Sequence, residues 1–379
     1  MKRRQSALWT FSYFAEFGEI APSIQAADHW IGWVRNDILF LFPRTKGRIK
    51  MLVPVLLFLL GFVLLIKGGD WFVDGSTAIA RKFHVPELII GATVVAIGTT
   101  LPELLVSATG AASGHGGIAY GNAIGSIICN TALIAALTIA IRPCPVDRES
   151  FKVPVIFFFV TAAFYAGTAY ITGSFTRLTG IILVLIFAAY IAYTIWNGKR
   201  KGLIGPQAQE QEEEPSDGEE MPGWKMALML VVGAAAIAVG ANLLVENGTK
   251  IAEALGVPET VIALTFVALG TSLPELVTAI TALVKGHGAL SLGNIVGANL
   301  FNLVLVSGVS FAIKPFTLQS LGGKTIGGIP SSLAVDIPVM FAVMALMTIP
   351  ALIRGKLTRF QGILLLCIYT GFCIFQFVL

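Results

Sequence analysis

The chain alternates between long apolar segments and short polar connections. A helix needs about 20 apolar residues to cross roughly 30 Å of hydrocarbon, because each residue advances the chain by about 1.5 Å. Ten segments of this kind follow one another, near residues 51–68, 87–111, 117–141, 153–172, 178–196, 225–246, 259–284, 289–313, 332–353 and 360–379. The pattern predicts an all-α polytopic membrane protein with ten transmembrane helices.

The composition agrees with a chain that is surrounded by lipid. Of the 379 residues, 55% are hydrophobic and 13% are charged, whereas roughly a quarter of an ordinary soluble domain is charged. The basic residues lie in short connections and form no cluster typical of a nucleic-acid-binding face. The four cysteines show no spacing typical of a disulfide framework or a metal site. We therefore expect a lipid bilayer around the chain, with no nucleic acid, no obligatory protein partner and no cofactor.

Two polar stretches lie outside the apolar segments. Residues 1–50 contain eight basic residues and no uninterrupted apolar run of span length. They form either an N-terminal tail at the membrane surface or a stretch before the true start, and we expect translation to begin at Met51. Residues 197–224 are acidic and contain prolines, which predicts a disordered linker. Residues 51–196 and 225–379 then form two halves of five spans each.

The two halves repeat each other. Residues 85–143 align with residues 257–315 at a constant offset of 172, with 25 identities in 59 positions. The motif from Gly98 to Glu103 returns from Gly270 to Glu275, and the stretch 121–130 returns as 293–302. Because five spans, an odd number, separate each motif from its copy, the copies enter the membrane from opposite sides. Many secondary transporters have such inverted repeats and bind their substrate near the midplane.

Basic residues are distributed unequally between the two sides of the membrane. If the first span starts outside, the inner connections hold 13 Lys and Arg and the outer ones hold 4. Cytoplasmic loops carry an excess of Lys and Arg. Both ends of the ten-span unit are therefore predicted to lie outside, and the acidic linker is predicted to be cytoplasmic.

Two glutamates lie in the middle of apolar segments. Glu103 and Glu275 occupy equivalent positions in the repeats, and no Lys or Arg lies at comparable depth in the second, third, seventh or eighth segment. An ionised carboxylate at that depth costs several kcal/mol unless it faces a cavity or a partner. Two acids without a basic partner favour a bound cation, and two protonated, packed side chains are the alternative.

Oxygen atoms accompany each glutamate in the sequence. A proline precedes each one and breaks or bends its helix, which releases carbonyl groups of the preceding turn. The residues that supply carbonyls or hydroxyls nearby are Ala96, Thr99, Thr100, Ala268, Thr271 and Ser272. In the second motif, Asn130 and Asn302 either bond across helices or ligate an ion. Sites built only from oxygen suit hard cations such as Ca²⁺ and Na⁺.

These motifs resemble the signature repeats of the cation/Ca²⁺ antiporter superfamily, in particular its prokaryotic sodium/calcium exchanger branch. The resemblance covers essentially residues 51–379. It implies ten helices in two inverted five-helix repeats, with alternating access by sliding of the first and sixth helices. It also implies an antiporter, not an enzyme, that exchanges Ca²⁺ for Na⁺ as a multi-pass protein of the prokaryotic inner (plasma) membrane.

The resemblance also implies the role of individual residues. Ca²⁺ would be coordinated by Glu103 and Glu275 with the carbonyls of Thr99 and Thr271, and Asn130 would line the centre. The implied sodium ligands are the two glutamates, Ser126, the hydroxyls of Thr100 and Ser272, and the carbonyls of Ala96 and Ala268.

Two positions depart from the family pattern. Asn302 stands where relatives often have Asp, and Ala298 stands where they often have Ser. The first change removes an ionisable group and the second removes a sodium ligand, so potassium coupling is not expected. Exchange of Ca²⁺ for H⁺ is the alternative function, although proton-coupled relatives usually carry an additional glutamate where this chain has Gly125.

Overall fold

The computed structural model describes residues 46–114, 116–201, 221–254, 270–318 and 325–378. The chain divides into two compact units, Met1–Val55 and Leu56–Leu379. In the first unit, the described residues 46–55 are helical. All contacts reported below belong to the second unit.

Helices make up nearly all of the described chain. Their bounds are α1 Lys46–Lys82, α2 Glu87–Ala112, α3 Gly116–Ile141, α4 Arg148–Thr172, α5 Arg177–Arg200, α6 Gly223–Ala254, α7 Leu273–Val284, α8 Gly288–Ile313, α9 Ser332–Arg354 and α10 Arg359–Val378. Within the described ranges, nine of these helices are long and apolar enough to cross a membrane. The shorter α7 is the described part of the predicted seventh span. The predicted all-α polytopic fold is confirmed.

The predicted tail and linker lie mostly outside the described residues. Helix α1 begins at Lys46 and α5 continues to Arg200, a few residues into the predicted linker. Residues 1–45 and 202–220 are outside the described ranges. The domain boundaries therefore remain predictions.

Helices α3 and α8 form the centre of the second unit. In their most apolar stretches, 72% and 83% of the residues are buried, compared with 17% for α1. Backbone-to-backbone packing joins α8 to α2 at two glycines. A Cβ atom at Gly293 would lie 2.2 Å from the Leu88 carbonyl oxygen, and one at Gly297 would lie 2.6 Å from Ala92 Cα. Only glycine permits this close approach.

Short strands pair the loops of one repeat with the loops of the other. The strands β1 (Ser174–Phe175) and β2 (Phe316–Thr317) pair antiparallel, joining the α4–α5 loop to the α8–α9 loop. An isolated bridge between Pro145 and Lys356 joins the α3–α4 loop to the α9–α10 loop. Exchanging the two repeats converts one of these pairings into the other. The two pairings lie on opposite faces of the membrane, as an inverted repeat requires. A further hairpin, β3 (Thr325–Ile326) with β4 (Ile329–Pro330), precedes α9.

Helix ends place these paired loops. Helix α4 begins where the Asp147 side chain accepts hydrogen bonds from the main-chain N–H groups of Glu149 and Ser150, both at 3.2 Å, which satisfies donors that have no partner within the helix. It ends at Gly173, whose φ of 63° is readily adopted by glycine. Helix α9 ends in the same way at Gly355, with φ of 68°. Each left-handed glycine turns the chain directly into a loop that pairs with the other repeat.

Candidate ion-binding site

The two glutamates meet at the contact between α2 and α7. Glu103 and Glu275 are both 0% exposed, and their carboxyl groups are close enough to interact electrostatically. In the described part of the chain, no Lys, Arg or His forms a salt bridge with either carboxylate. None of the four carboxylate oxygens has a hydrogen-bond partner among the residues that the structure describes. The fold thus brings together two acids that are distant in sequence, and no described basic residue compensates for their charge.

Further buried polar atoms, in α2, α3 and α8 and just before α7, have no hydrogen-bond partner among the described residues. They are the hydroxyls of Thr100 and Ser272 and both side-chain atoms of Asn130 and Asn302. Each of these residues is at most 2% exposed. A buried polar group without a hydrogen-bond partner costs free energy, so a whole set of them is unfavourable unless a ligand satisfies it. The donor set contains only oxygen atoms and amides, which is the chemistry that a hard cation prefers.

Each half contributes a π-helical segment next to the site. In α3 a π-helical segment runs from Asn130 to Ala135, and in α8 one runs from Asn302 to Val306. Helix α2 contacts the π segment of α8, and α7 contacts the π segment of α3. Each glutamate-bearing helix therefore crosses the widened turn of the opposite repeat. Segments of π-helix occur frequently at functional sites, and these two each begin at an asparagine whose side chain has no hydrogen-bond partner among the described residues.

The proline before each glutamate has a different effect in the two repeats. Helix α2 continues through Pro102 without a break, and one backbone hydrogen bond is lost there. Helix α7 instead begins at Leu273, directly before Pro274, after a turn at Thr271 and Ser272. The local sequences around the two prolines are nearly identical, so they do not by themselves set the difference between a continuous helix and a turn. In both repeats the carbonyl four residues before the proline lacks its usual helical donor.

Two asparagines that were not among the predicted site residues hold α2 in place. The Thr99 hydroxyl donates to Asn294 Oδ1 at 3.1 Å, which links the two repeats. Asn122 Nδ2 donates to the Glu103 carbonyl oxygen at 3.1 Å and to Ser107 Oγ at 2.8 Å. The repeated Gly-Asn pair at 121–122 and 293–294 was the signal that could have identified them.

Two of the predicted ligands lie beside the glutamates, and most of the others are buried. The Glu275 carboxyl group faces the hydroxyls of Thr99 and Thr100, outside strict hydrogen-bonding geometry. The Cys129 thiol, next to Asn130, contacts Ser272. Buried positions are held by Ala96, Thr99, Thr100, Ser126, Asn130, Ser272, Ala298 and Asn302. Thr271 is partly buried, and Ala268 lies outside the described residues.

Comparison with known proteins places this geometry in a family. The sequence profile described as sodium/calcium exchanger protein matches residues 53–196 and 225–378, which is most of the chain and includes both glutamates. The chain belongs to the sodium/calcium exchanger family. It is therefore an integral, multi-pass membrane protein of a family of transporters.

Individual relatives align with most of this chain. The sodium/calcium exchanger MaX1 of Methanosarcina acetivorans is 30% identical over 355 residues, covering 86% of this chain and 99% of the relative. An uncharacterised membrane protein of Methanocaldococcus jannaschii is 36% identical over 319 residues, covering 82% of this chain and 94% of the relative. The solved structure of the sodium-calcium exchanger NCX_Mj superposes with a TM-score of 0.70 at 34% identity, covering 85% of this chain and 98% of that one. The inverted repeats predicted from the sequence fit this fold.

Proposed function

We propose that this exchanger carries Ca²⁺ in one direction and Na⁺ in the other, at a single site formed by Glu103 and Glu275. The observation that carries the proposal is the pair of fully buried carboxylates, contributed by equivalent helices of two inverted repeats and unpaired with any described basic residue. Two negative charges match one divalent cation. They can equally be neutralised by sodium ions, so the two cargoes compete for the same charge. Relatives named as sodium/calcium exchangers support the choice of ions.

The residues around the glutamates complete the coordination. The main-chain carbonyls of Thr99 and Thr271 supply further oxygens for Ca²⁺, and the Thr99 hydroxyl is already bonded to Asn294, so its carbonyl remains the available group. The Thr100 and Ser272 hydroxyls, which have no hydrogen-bond partner in the described part of the chain, supply ligands for sodium. Inverted repeats allow access from each side of the membrane in turn, because movement of one part against the other opens the midplane site alternately.

The test of this proposal is uptake of ⁴⁵Ca²⁺ into vesicles under separately imposed ion gradients. An outward Na⁺ gradient is expected to drive uptake, and a sodium ionophore should abolish it. An outward H⁺ gradient without sodium is expected to drive none. Uptake that follows the proton gradient and ignores sodium would reject sodium coupling in favour of Ca²⁺/H⁺ exchange.

The two departures from the family pattern predict how the ion coupling can be changed. The double variant Asn302→Asp with Ala298→Ser adds an ionisable group and a hydroxyl at positions that are 0% exposed. A third carboxylate near two others is disfavoured in its charged form by burial and by like-charge repulsion. We expect native flux to depend little on K⁺, and the double variant to gain a dependence on pH or on K⁺.

Vesicle flux measured across pH, with and without K⁺, would check this prediction. The single variant Ala298→Ser is the matched control, because it adds the hydroxyl without the acid. Equal pH and K⁺ profiles for the native protein and the double variant would contradict it.

A further inference from the structure

Helices α1 and α6 pack against each other through a seam of glycines. A Cβ atom at Gly61 would lie 2.8 Å from the Gly240 carbonyl oxygen, and one at Gly68 would lie 2.9 Å from the Gly233 carbonyl oxygen. Gly61 corresponds to Gly233 in the repeat, and Gly68 corresponds to Gly240, so exchanging the repeats converts one contact into the other. Backbones that touch along two turns hold α1 and α6 together as one pair on the outside of the core.

Helix α1 is joined to α7 of the other repeat by a cluster of charges. The Lys285 Nζ atom lies 2.8 Å from Asp74 Oδ1 and 3.3 Å from Asp70 Oδ1. It also donates to the Asp70 carbonyl oxygen at 3.2 Å. Beside these contacts, a Cβ atom at Gly69 would meet Val277 Cγ1 at 2.8 Å. We refer to Lys285, Asp70 and Asp74 as the Lys285 cluster; it lies at the end of α7 that is predicted to be cytoplasmic.

The equivalent positions at the opposite face cannot form this cluster. Asp70, Asp74 and Lys285 correspond, at the offset of 172, to Asn242, Glu246 and Ser113. Glu246 instead lies 3.9 Å from Lys250 of its own helix. Another polar contact between the repeats on the face of the cluster joins His287 Nδ1 to Glu87 Oε1 at 2.7 Å, and the repeat conserves its residue types. Its equivalents His115 and Glu259 have the same residue types and lie outside the described residues.

This asymmetry has an energetic consequence for a transporter with inverted repeats. If both repeats had the same sequence, the state open to one side and the state open to the other would be related by a two-fold rotation and would have equal free energy. A contact between repeats that exists at one face alone stabilises one of the two states. The Lys285 cluster draws the cytoplasmic ends of α1 and α7 together, so the state that it stabilises is the one closed at that face.

We propose that the Lys285 cluster biases the transport cycle toward the state closed to the cytoplasm. The proposal rests on the proposed exchange function, in which the two repeats move against each other. In this role Lys285 is a positioning residue, because it touches neither cation and acts through the position of the α1–α6 pair.

The test is the sidedness of Ca²⁺ affinity in Lys285→Gln. Without the ammonium group, the state open to the cytoplasm gains population. Half-saturating Ca²⁺ should therefore fall at the cytoplasmic face and rise at the external face, changing their ratio by about two- to fivefold, as expected for a partly exposed ion pair. Inside-out and right-side-out vesicles give the two values separately. A merely structural defect would lower both affinities or the maximal rate and leave the ratio unchanged.

Two further variants make the result specific. Lys250 pairs with Glu246, the counterpart of Asp74, but both residues belong to the same helix. Lys250→Gln should therefore leave the ratio of the two half-saturating Ca²⁺ concentrations as in the native protein. Asp74→Asn should shift the ratio in the same direction as Lys285→Gln, and it tests the cluster if Lys285→Gln does not fold. An unchanged ratio in both cluster variants, or the same shift in Lys250→Gln, would overturn the proposal.

Hydrogen exchange of the purified protein separates this proposal from the proposed function. In the absence of transported ions, amides of residues 69–86 should exchange faster in Lys285→Gln than in the native protein, and no faster in Lys250→Gln. If the native protein carries no Na⁺-driven Ca²⁺ flux, the proposed function fails while this measurement still tests the cluster. If the native protein carries Na⁺-driven Ca²⁺ flux but Lys285→Gln changes neither the hydrogen exchange nor the affinity ratio, the proposed role of the cluster is rejected and the proposed function stands.

Discussion

Replacing either Glu103 or Glu275 with glutamine is expected to abolish Na⁺-driven Ca²⁺ uptake while the protein remains folded. Each substitution removes half of the negative charge that faces the divalent ion, in a site where no described basic residue or solvent compensates for it. Breaking a buried charge pair by removing one partner costs about 3–5 kcal/mol, so we expect uptake to fall by at least about a hundredfold. The glutamine side chain has nearly the same shape, so the packing between α2 and α7 is retained.

The measurement is initial ⁴⁵Ca²⁺ uptake in vesicles that contain equal amounts of each variant. Glu246→Gln is the matched control, because it removes an exposed carboxylate from α6, and it should transport at the native rate. The thermal midpoint in detergent confirms that the site variants are folded. If Glu103→Gln or Glu275→Gln exchanges Ca²⁺ at the native rate, the two-carboxylate site is wrong.

The second large effect is expected at the contact between α2 and α8. In Gly293→Ala, the new Cβ would lie 2.2 Å from the Leu88 carbonyl oxygen and 3.0 Å from the Ala92 nitrogen. Both are backbone atoms that cannot rotate away, so the two helices must separate. Overpacking of this kind costs about 1–3 kcal/mol. The separation also strains the bond from Thr99 to Asn294, and we therefore expect both a lower thermal midpoint and a loss of most transport activity.

Gly371→Ala provides the comparison, because a Cβ atom at Gly371 has no other described atom within 4 Å. It introduces the same methyl group on the exposed α10, and both its midpoint and its rate should match those of the native protein. A Gly293→Ala variant that melts and transports like Gly371→Ala would show that α2 and α8 tolerate separation.

The sequence contained enough information to predict the helices and the pairing of the glutamates. Spans of about 20 apolar residues are set by the thickness of the bilayer, and the duplication identified Glu103 and Glu275 as equivalent. The absence of Lys and Arg at the same depth then indicated a cation site. These inferences depend on composition and spacing, which the sequence displays directly.

Other features depend on packing and could not be predicted. The π segments at Asn130 and Asn302 are a change of backbone hydrogen-bond register, which leaves no residue signature of its own. Nearly identical local sequences gave a continuous helix through Pro102 and a turn before Pro274, a difference that the local sequence does not predict. The bond between Thr99 and Asn294 joins positions 195 residues apart, and only the folded chain brings them together.

The exchanged loop pairings bear on how such a chain could have arisen. The loop that contains Pro145 pairs with the loop that contains Lys356, and β1 pairs with β2, so both pairings join one repeat to the other. An ancestral chain with a single repeat could have formed both of them only with a second copy of itself, inserted in the membrane in the opposite sense. Such a dimer would have been isologous, with each copy presenting the same two loops to its partner. Gene fusion would then have preserved an interface that already existed, and would have freed each half to change independently, as Asn242, Glu246 and Ser113 have done relative to Asp70, Asp74 and Lys285.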